Sequence, residues 1–282
     1  MTNPLRALLH AATVTHLPGV YDPPTAALAV AAGHRAAHLS GAACAALDLG
    51  LPDLGYVHGT HLADRAARIV PALRGVPLLA DADTGYGDAL QAVWTARRYA
   101  AAGVSGLHLE DQVQPKRCGH LAGKELAAPA VAARKIRAIV AEVPDLVVVA
   151  RTDAYSVTGL RDAIDRAASY VEAGAHAVFL EGVGDPAELA EAHAALPGVP
   201  LVLNRSEAGS AVPATDAELH AAGVRLVLHP VAPLLAALHA ARDAYAAIAA
   251  HGTAATVTRL PWSDFTSLVG QDEALELDAR FA

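Results

Sequence analysis

Two cysteines, one methionine and 4 % aromatics are all that a chain of 282 residues provides of these types. So little cysteine excludes a disulfide-stapled scaffold and fits a reducing compartment. No basic stripe offsets the net charge of −8, which excludes nucleic acid as a partner. Residues 1–16 lack the basic n-region and cleavage site of a secretory leader. The longest apolar stretch, 232–250, is interrupted by His239, Arg242 and Asp243, so no membrane span is expected. These absences leave a soluble, cytoplasmic protein as the expectation. What abounds is alanine, valine and leucine within a hydrophobic fraction of 54 %, far more than a disordered chain carries. Seventeen scattered prolines argue against a coiled coil.

A repeated unit organises the chain. Short leucine-rich or β-branched runs lie at 17–20, 36–39, 76–80, 106–109, 146–150, 177–180, 201–203 and 225–228. Alanine-rich runs with i, i+3, i+4 apolar spacing follow them at 24–32, 60–73, 88–102, 129–143, 160–173, 186–195, 216–222 and 232–250. Unbroken apolar strands such as Leu146-Val147-Val148-Val149-Ala150 suit a parallel sheet buried on both faces. Gly33, Gly103, Gly174 and Gly223 stand where helices should stop. Eight βα units predict one α/β domain, a (β/α)8 TIM barrel over residues 1–250, followed by a helical extension over 251–282. The missing G-x-G-x-x-G fingerprint lowers the alternative, an open doubly wound sheet.

A barrel of this kind builds its active site at the C-terminal ends of the strands. Polar residues stand there around the ring: Tyr21-Asp22, Ser40, Asp81 and Asp83, Glu110 and Asp111, Arg151 and Asp153, Glu181, Asn204 and Ser206, and His229. Some must be helix caps and turn formers. The cluster Asp81-Ala82-Asp83 with His108-Leu109-Glu110-Asp111 offers hard oxygen ligands, suited to Mg²⁺ or Mn²⁺. The long connection 111–129 carries Lys116-Arg117-Cys118-Gly119-His120 and has the length of a lid. Cations flanking Cys118 are expected to favour its thiolate and make it an acid/base or a nucleophile. Arg151-Thr152-Asp153 offers a clamp for a carboxylate or phosphate. Cys44, and histidines such as His34, His58 and His220, read as structural or solvated. Trp94 and Trp262 read as packing residues.

Together these motifs resemble the isocitrate lyase / phosphoenolpyruvate mutase superfamily. The branch is that of methylisocitrate lyase, 2,3-dimethylmalate lyase and carboxyphosphonoenolpyruvate phosphonomutase. The resemblance rests most on the lid signature Lys116-Arg117-Cys118-Gly119-His120. Ser40-Gly41-Ala42, Gly50-Leu51-Pro52-Asp53-Leu54-Gly55, Asp81-Ala82-Asp83, Glu110-Asp111-Gln112, Ala150-Arg151-Thr152-Asp153-Ala154 and Asn204 support it. It implies that Asp81 touches Mg²⁺, with Asp83, Asp53 and Glu110 holding the ion partly through water. Ser40, Gly41, Ala42, Gly119, Arg151, Glu181 and Asn204 would bind substrate. His108 would lie beside it, and Cys118 would act as acid/base with Lys116 and His120 nearby. The resemblance also implies a homotetramer that exchanges C-terminal helices. It implies Mg²⁺-dependent retro-aldol cleavage of a 2-hydroxy dicarboxylate, or alternatively phosphonomutase chemistry on a C–P bond. A non-catalytic binding barrel is disfavoured, because no expected metal or lid residue is missing.

Three departures stand out. The run Pro230-Val231-Ala232-Pro233-Leu234-Leu235 lacks the cation that holds a third carboxylate in methylisocitrate lyases, and Ala211-Val212 replaces a Thr-Pro step. Both favour a smaller dicarboxylate. Tyr21-Asp22 is closer to the dimethylmalate and phosphonomutase members.

Overall fold

In Val147-Val148-Val149 three β-branched residues in a row favour extended backbone, and a strand with no polar face must be covered on both sides. In a computed structural model of the chain, residues 3–208 and 213–282 are described. Val147–Thr152 is the fifth of eight parallel strands there. They are β1 (Thr15–Pro18), β2 (Ala37–Leu39), β3 (Leu78–Asp81), β4 (Gly106–Glu110), β5 (Val147–Thr152), β6 (Ala177–Leu180), β7 (Leu201–Asn204) and β8 (Val224–His229). From β2 to β8 each strand pairs with its sequence neighbour, β1 pairs with β8, and a single bridge from Gly19 to His38 joins β1 to β2. The first strand was expected at 17–20 and lies two residues earlier. Pro18 has no N–H, so the β1 ladder stops there. Beyond it the Gly19 N–H donates to the His229 carbonyl at 2.8 Å, and the Val20 N–H to the His38 carbonyl at 2.9 Å. These bonds carry the chain from β8 to β2 and close the barrel. Only glycine fits at this junction, because a Cβ on Gly19 would stand 2.0 Å from the Pro230 carbonyl oxygen.

The helices fall where the alanine-rich runs predicted them, within one or two residues in most cases. Residues 60–73 divide: an α-helix Gly59–Ile69 tightens into a 3₁₀ turn Val70–Leu73 at Pro71, which cannot donate to the helical ladder. The four helix-ending glycines adopt φ of 83°, 84°, 102° and 86°, the left-handed conformation that terminates a helix. A short helix, Pro4–Leu9, was not anticipated. It closes the N-terminal mouth: Leu5 and Leu9 join Leu17, Leu79, Val147, Phe179 and Leu226 inside the barrel. The Asn3 side chain caps this helix through the Leu5 N–H and donates to the carbonyls of Ser105 and Asp145, both at 2.7 Å.

After the barrel, the helix Ala232–His251 buries only Leu234. The helices Trp262–Leu268 and Gln271–Phe281 bury nothing in the single chain. Leu238, Tyr245, Trp262, Leu275 and Phe281 are exposed along them. No helix among the described residues is long and apolar enough to cross a membrane. The Ala211-Val212 departure lies outside the described residues.

Candidate active site

Side chains alternate along a strand, so residues two apart face the same side. That parity aims one residue of each strand end into the mouth, opposite the Pro4–Leu9 plug. Ser40 follows β2, Asp81 ends β3, His108 and Glu110 lie on β4 and Arg151 on β5, while Glu181 follows β6 and Asn204 ends β7. Register places Asp81 beside His108 and Glu110 beside Arg151. A cavity of about 80 Å³ opens among them, lined also by Ala42, Asp53, Cys118, Gly119 and His120. Of the fifteen residues expected at the site, only Gly41, Asp83, Glu110 and Lys116 are missing from the wall, and each touches a residue in it. The N–H groups of Gly41 and Asp83 donate to Asp81 at 3.1 and 3.0 Å, Lys116 pairs with Asp53, and Glu110 pairs with Arg151.

The carboxylates dominate the electrostatics. Asp81 accepts the N–H groups of Gly41 and of Asp83, at 3.1 and 3.0 Å. Burial works against its charge, but the nearby His108, Lys116 and Arg151 outweigh it and hold this carboxyl well below the usual range. Asp83, 1 % exposed, goes the other way. Burial, with Asp81 and Asp53 close by, pushes it up to about 7 against the pull of Lys116. Its backbone is left-handed at φ 42°, a conformation that costs a non-glycine residue of order 1 kcal/mol. Burial also raises Glu110 well above the usual range.

Lys116 Nζ lies 3.0 Å from Asp83 Oδ1 and also pairs with Asp53. Neither oxygen of Asp83 or of Glu110 has an aligned hydrogen bond. Buried carboxylate oxygens left this way are costly unless a cation or proton meets them. Hard oxygen donors of this kind fit Mg²⁺. Among the described residues no ready-made cage of three ligands exists.

The lid is tied at its base by an antiparallel bridge between Gln112 and Leu126 and by the Val113 N–H on the Glu125 carbonyl at 2.8 Å. The Gln112 side chain grips Arg117, donating to its carbonyl at 2.8 Å and accepting its N–H at 2.9 Å. Buried Lys124 bonds the Gly119 carbonyl and, at 2.9 Å, Asp153 Oδ1. Asp153 in turn holds the Arg151 guanidinium at 2.9 and 3.1 Å. The lid is closed: a Cβ on Gly119 would stand 2.6 Å from both Arg151 Nη2 and the Glu181 carboxyl carbon. Cys118 faces the cavity, with Sγ 3.5 Å from Nδ1 of the exposed His120.

The expected thiolate is corrected here. Burial and the Asp53 charge push the Cys118 thiol up to about 12, and Lys116 and Arg151 compensate only in part. Lys116 is spent on Asp53 and Asp83, and Arg117 turns to the Ala122 carbonyl at 3.4 Å.

Some strand-end residues serve the fold alone. Asp22 caps the helix Pro23–Ala31 in a reciprocal box with Thr25. Asp111 accepts from Thr152 and Tyr170, both at 2.7 Å, and from Arg166 at 3.2 Å. Arg205 donates to the Ala214 carbonyl at 2.8 Å.

Sequence reasoning missed three participants. His38 lines the cavity, and its Nε2 lies 3.0 Å from His108 Nε2. Burial keeps both rings neutral, lowering them to about 3 and about 4. Phe179 supports the Arg151 guanidinium at 5.3 Å. Lys124 anchors the lid. His38 and Phe179 were detectable by parity, two residues before Ser40 and Glu181. The wall formed by Leu228, Pro230 and Val231 carries no charge.

Three comparisons bear on this site. The family described as phosphoenolpyruvate phosphomutase matches residues 5–249. The chain is 36 % identical to 2,3-dimethylmalate lyase of Eubacterium barkeri, over 99 % of this chain and 97 % of that one. It is 41 % identical to 2-methylisocitrate lyase of Bacillus subtilis (88 % and 81 % covered). It is 36 % identical to the chloroplastic carboxyvinyl-carboxyphosphonate phosphorylmutase of Arabidopsis thaliana (94 % and 80 %). Among solved structures, a 2,3-dimethylmalate lyase superposes with a TM-score of 0.92 at 34 % identity, covering 100 % of this chain and 96 % of that one. Oxaloacetate acetylhydrolase bound to 3,3-difluorooxalacetate gives 0.91 at 35 % (98 % and 95 %). Phosphonopyruvate hydrolase with oxalate and Mg²⁺ gives 0.85 at 28 % (100 % and 99 %).

Proposed function

The chain belongs to the phosphoenolpyruvate phosphomutase family, and on that footing we propose that it is a Mg²⁺-dependent carbon–carbon lyase. Its substrate is a substituted 2-hydroxy dicarboxylate, cleaved to an α-keto acid and a carboxylate. The observation that carries this reading is the cavity itself, where Cys118 shares an enclosed wall with Arg151, Glu181 and Asn204. Retro-aldol cleavage generates a carbanion, and a carbanion needs a proton donor shielded from water.

The roles follow from position. Arg151, fixed by Asp153 and Phe179, faces the substrate carboxylate with the remaining edge of its guanidinium. Ser40 and the backbone from Gly41 to Ala42 offer further donors. Glu181 and Asn204, 3.4 Å apart, orient the substrate hydroxyl. Neutral His108 lies beside it. When that hydroxyl gives up its proton to a carboxylate of the mouth, its electrons form the keto group and the C–C pair moves to the departing carboxylate fragment. Cys118 protonates that fragment, with His120 at its edge. The closing lid brings Lys116 and Gly119 into place. Asp81, Asp83, Asp53 and Glu110 would hold the Mg²⁺, which supplies charge stabilisation for the developing keto-acid oxyanion; Mn²⁺ is the natural substitute. The uncharged wall at Pro230 and Val231 favours a dicarboxylate over a tricarboxylate.

Similarity to a phosphorylmutase supports a second reading, phosphonomutase chemistry at a C–P bond. Bond exchange at phosphorus leaves no carbanion to protonate, so the thiol acid favours the lyase. We also propose a barrel over 1–250 with an extension over 251–282 exchanged within a cytoplasmic homotetramer. The exposed apolar residues of the extension support that arrangement.

A substrate panel with Mg²⁺ tests the reading: methylisocitrate, isocitrate, 2,3-dimethylmalate, oxaloacetate and phosphonopyruvate, followed by keto-acid release. Fast release from dimethylmalate is expected. Equal turnover of methylisocitrate would overturn the smaller-substrate assignment. Turnover of phosphonopyruvate or oxaloacetate alone would overturn the lyase.

A further inference from the structure

The end of the barrel opposite the lid holds a second cavity, of about 330 Å³. Its walls come from the segment after the Pro4–Leu9 plug, the helix Pro186–Ala195 and the starts of β7 and β8. Its charged and polar side chains are His10, His193, His220 and Arg225, and no carboxylate lines it. In a chain of net charge −8 that is a local imbalance. Of the other half-buried arginines, Arg65 pairs with Asp48 and Arg166 with Asp111 and Asp162, while Arg6 and Arg205 lie outside this cavity and bond the carbonyls of Pro144 and Ala214. Arg225 is also half-buried, yet among the described residues it pairs with no carboxylate. Instead its Nη1 donates to the carbonyls of His220 and Val224, at 2.9 and 3.0 Å. These bonds fix the guanidinium plane and leave Nε and Nη2 without an acceptor among the described residues. His193 is set in a similar way. Its Nδ1 is buried without a partner, packed so close to Gly223 that a Cβ there would stand 2.3 Å away. A buried ring nitrogen with no acceptor is best left unprotonated, which places the N–H on Nε2.

We propose that this cavity is a binding site for a small multivalent oxyanion, a phosphate or a polycarboxylate. Such an anion accepts from the free edge of the Arg225 guanidinium and from the imidazole N–H groups of His193 and His220, with His10 at the rim. A guanidinium fork matches paired oxygens, and an imidazole donates one N–H even when neutral. The cavity lies at the N-terminal ends of the strands and the catalytic cavity at their C-terminal ends, so the two are distinct.

Calorimetric titration of the full chain with inorganic phosphate, and separately with citrate, tests this at constant ionic strength. Wild type is compared with Arg225→Gln, His220→Gln and, on the exposed rim, His10→Glu. The tighter of the two anions identifies the ligand class. Saturable binding is expected in wild type, weakened about tenfold or more in each variant, as befits loss of a charge-assisted contact. Keto-acid release without added anion should be unchanged. The same isotherm in wild type and in the folded variants, or no saturable heat with either anion, overturns the proposal. His10→Glu keeps the test decisive if the other two variants fail to fold.

Discussion

Gly119→Ala separates the lid from the rest of the machinery. In the closed lid an added Cβ would stand 2.6 Å from Arg151 Nη2 and from the Cγ and Cδ of Glu181. Carbon contacts settle near 3.5 Å, so about 0.9 Å must be found. Arg151 cannot supply it, because Asp153 grips it at 2.9 and 3.1 Å from a fully buried position. The lid must therefore retreat, and Cys118 retreats with it. A reacting group displaced by about 1 Å costs about 100-fold in rate. Stability should barely move. Gly119 lies outside the left-handed φ region that penalises alanine, and an open lid relieves the overlap, so the change in unfolding free energy stays within about 0.5 kcal/mol. Steady-state keto-acid release gives kcat and KM, and urea unfolding gives stability. The expected result is a kcat lower by about 10- to 100-fold at an unchanged unfolding midpoint. A kcat within about threefold of wild type would refute the lid geometry and the role it assigns to Cys118.

Three further outcomes follow from the same contacts. Cys118→Ser should lower kcat by about 10²- to 10⁴-fold, the usual contribution of a positioned acid; undiminished cleavage would remove the thiol from the reaction. Asp83 is held up to about 7 by burial, above its ordinary value, so in the metal-free fold a proton occupies it until near neutrality. Mg²⁺ affinity measured by calorimetry should therefore rise with pH through about 7 and level off above it. The stability this proton lends the metal-free protein is fully present in acid and is lost as pH rises through the same range. A Mg²⁺ affinity flat from pH 5.5 to 8 would contradict both statements. Tyr170→Phe removes a 2.7 Å donor from buried Asp111 and should cost about 1–3 kcal/mol in urea unfolding; no loss would mean that Arg166, Thr152 and the Asp153 N–H satisfy Asp111 without it.

How far the sequence reached can be judged residue by residue. The strands were legible because a parallel barrel strand is apolar on both faces, and such runs contrast with everything around them. The mouth residues were legible because strands end where polar residues begin. The Pro4–Leu9 plug was not, since six residues carry too little periodicity to separate a helix from an apolar run. His38 was missed because attention fell on residues after each strand, whereas the cavity reaches one pleat deeper. The thiol state of Cys118 was misread for a different reason. Adjacency in sequence says which charges are near along the chain, not which partners they have taken. Lys116 and Arg117 flank Cys118, yet one neutralises Asp53 and Asp83 and the other bonds a backbone carbonyl.

The charge balance of the mouth explains why a lid is needed at all. Asp53, Asp81, Asp83, Glu110, Asp153 and Glu181 are joined by ion pairs or close approach to only three permanent cations, Lys116, Lys124 and Arg151. Fully ionised, the cluster would hold three uncompensated negative charges away from water. Burial answers by raising Asp83, Glu110 and Glu181, which favours their protonated forms. Two of the three cations, Lys116 and Lys124, belong to the lid, so opening the lid deepens the deficit and exposes the carboxylates to solvent. A dication held by Asp81, Asp83, Asp53 and Glu110 would offset the deficit of the ionised cluster and so favour an anionic substrate. That substrate cannot be held in the mouth until the lid returns its two ammonium groups. On this reasoning metal binding precedes substrate, and lid closure follows it. A neutral thiol adds no charge to this mouth as the lid closes, and burial together with the Asp53 charge favours that form.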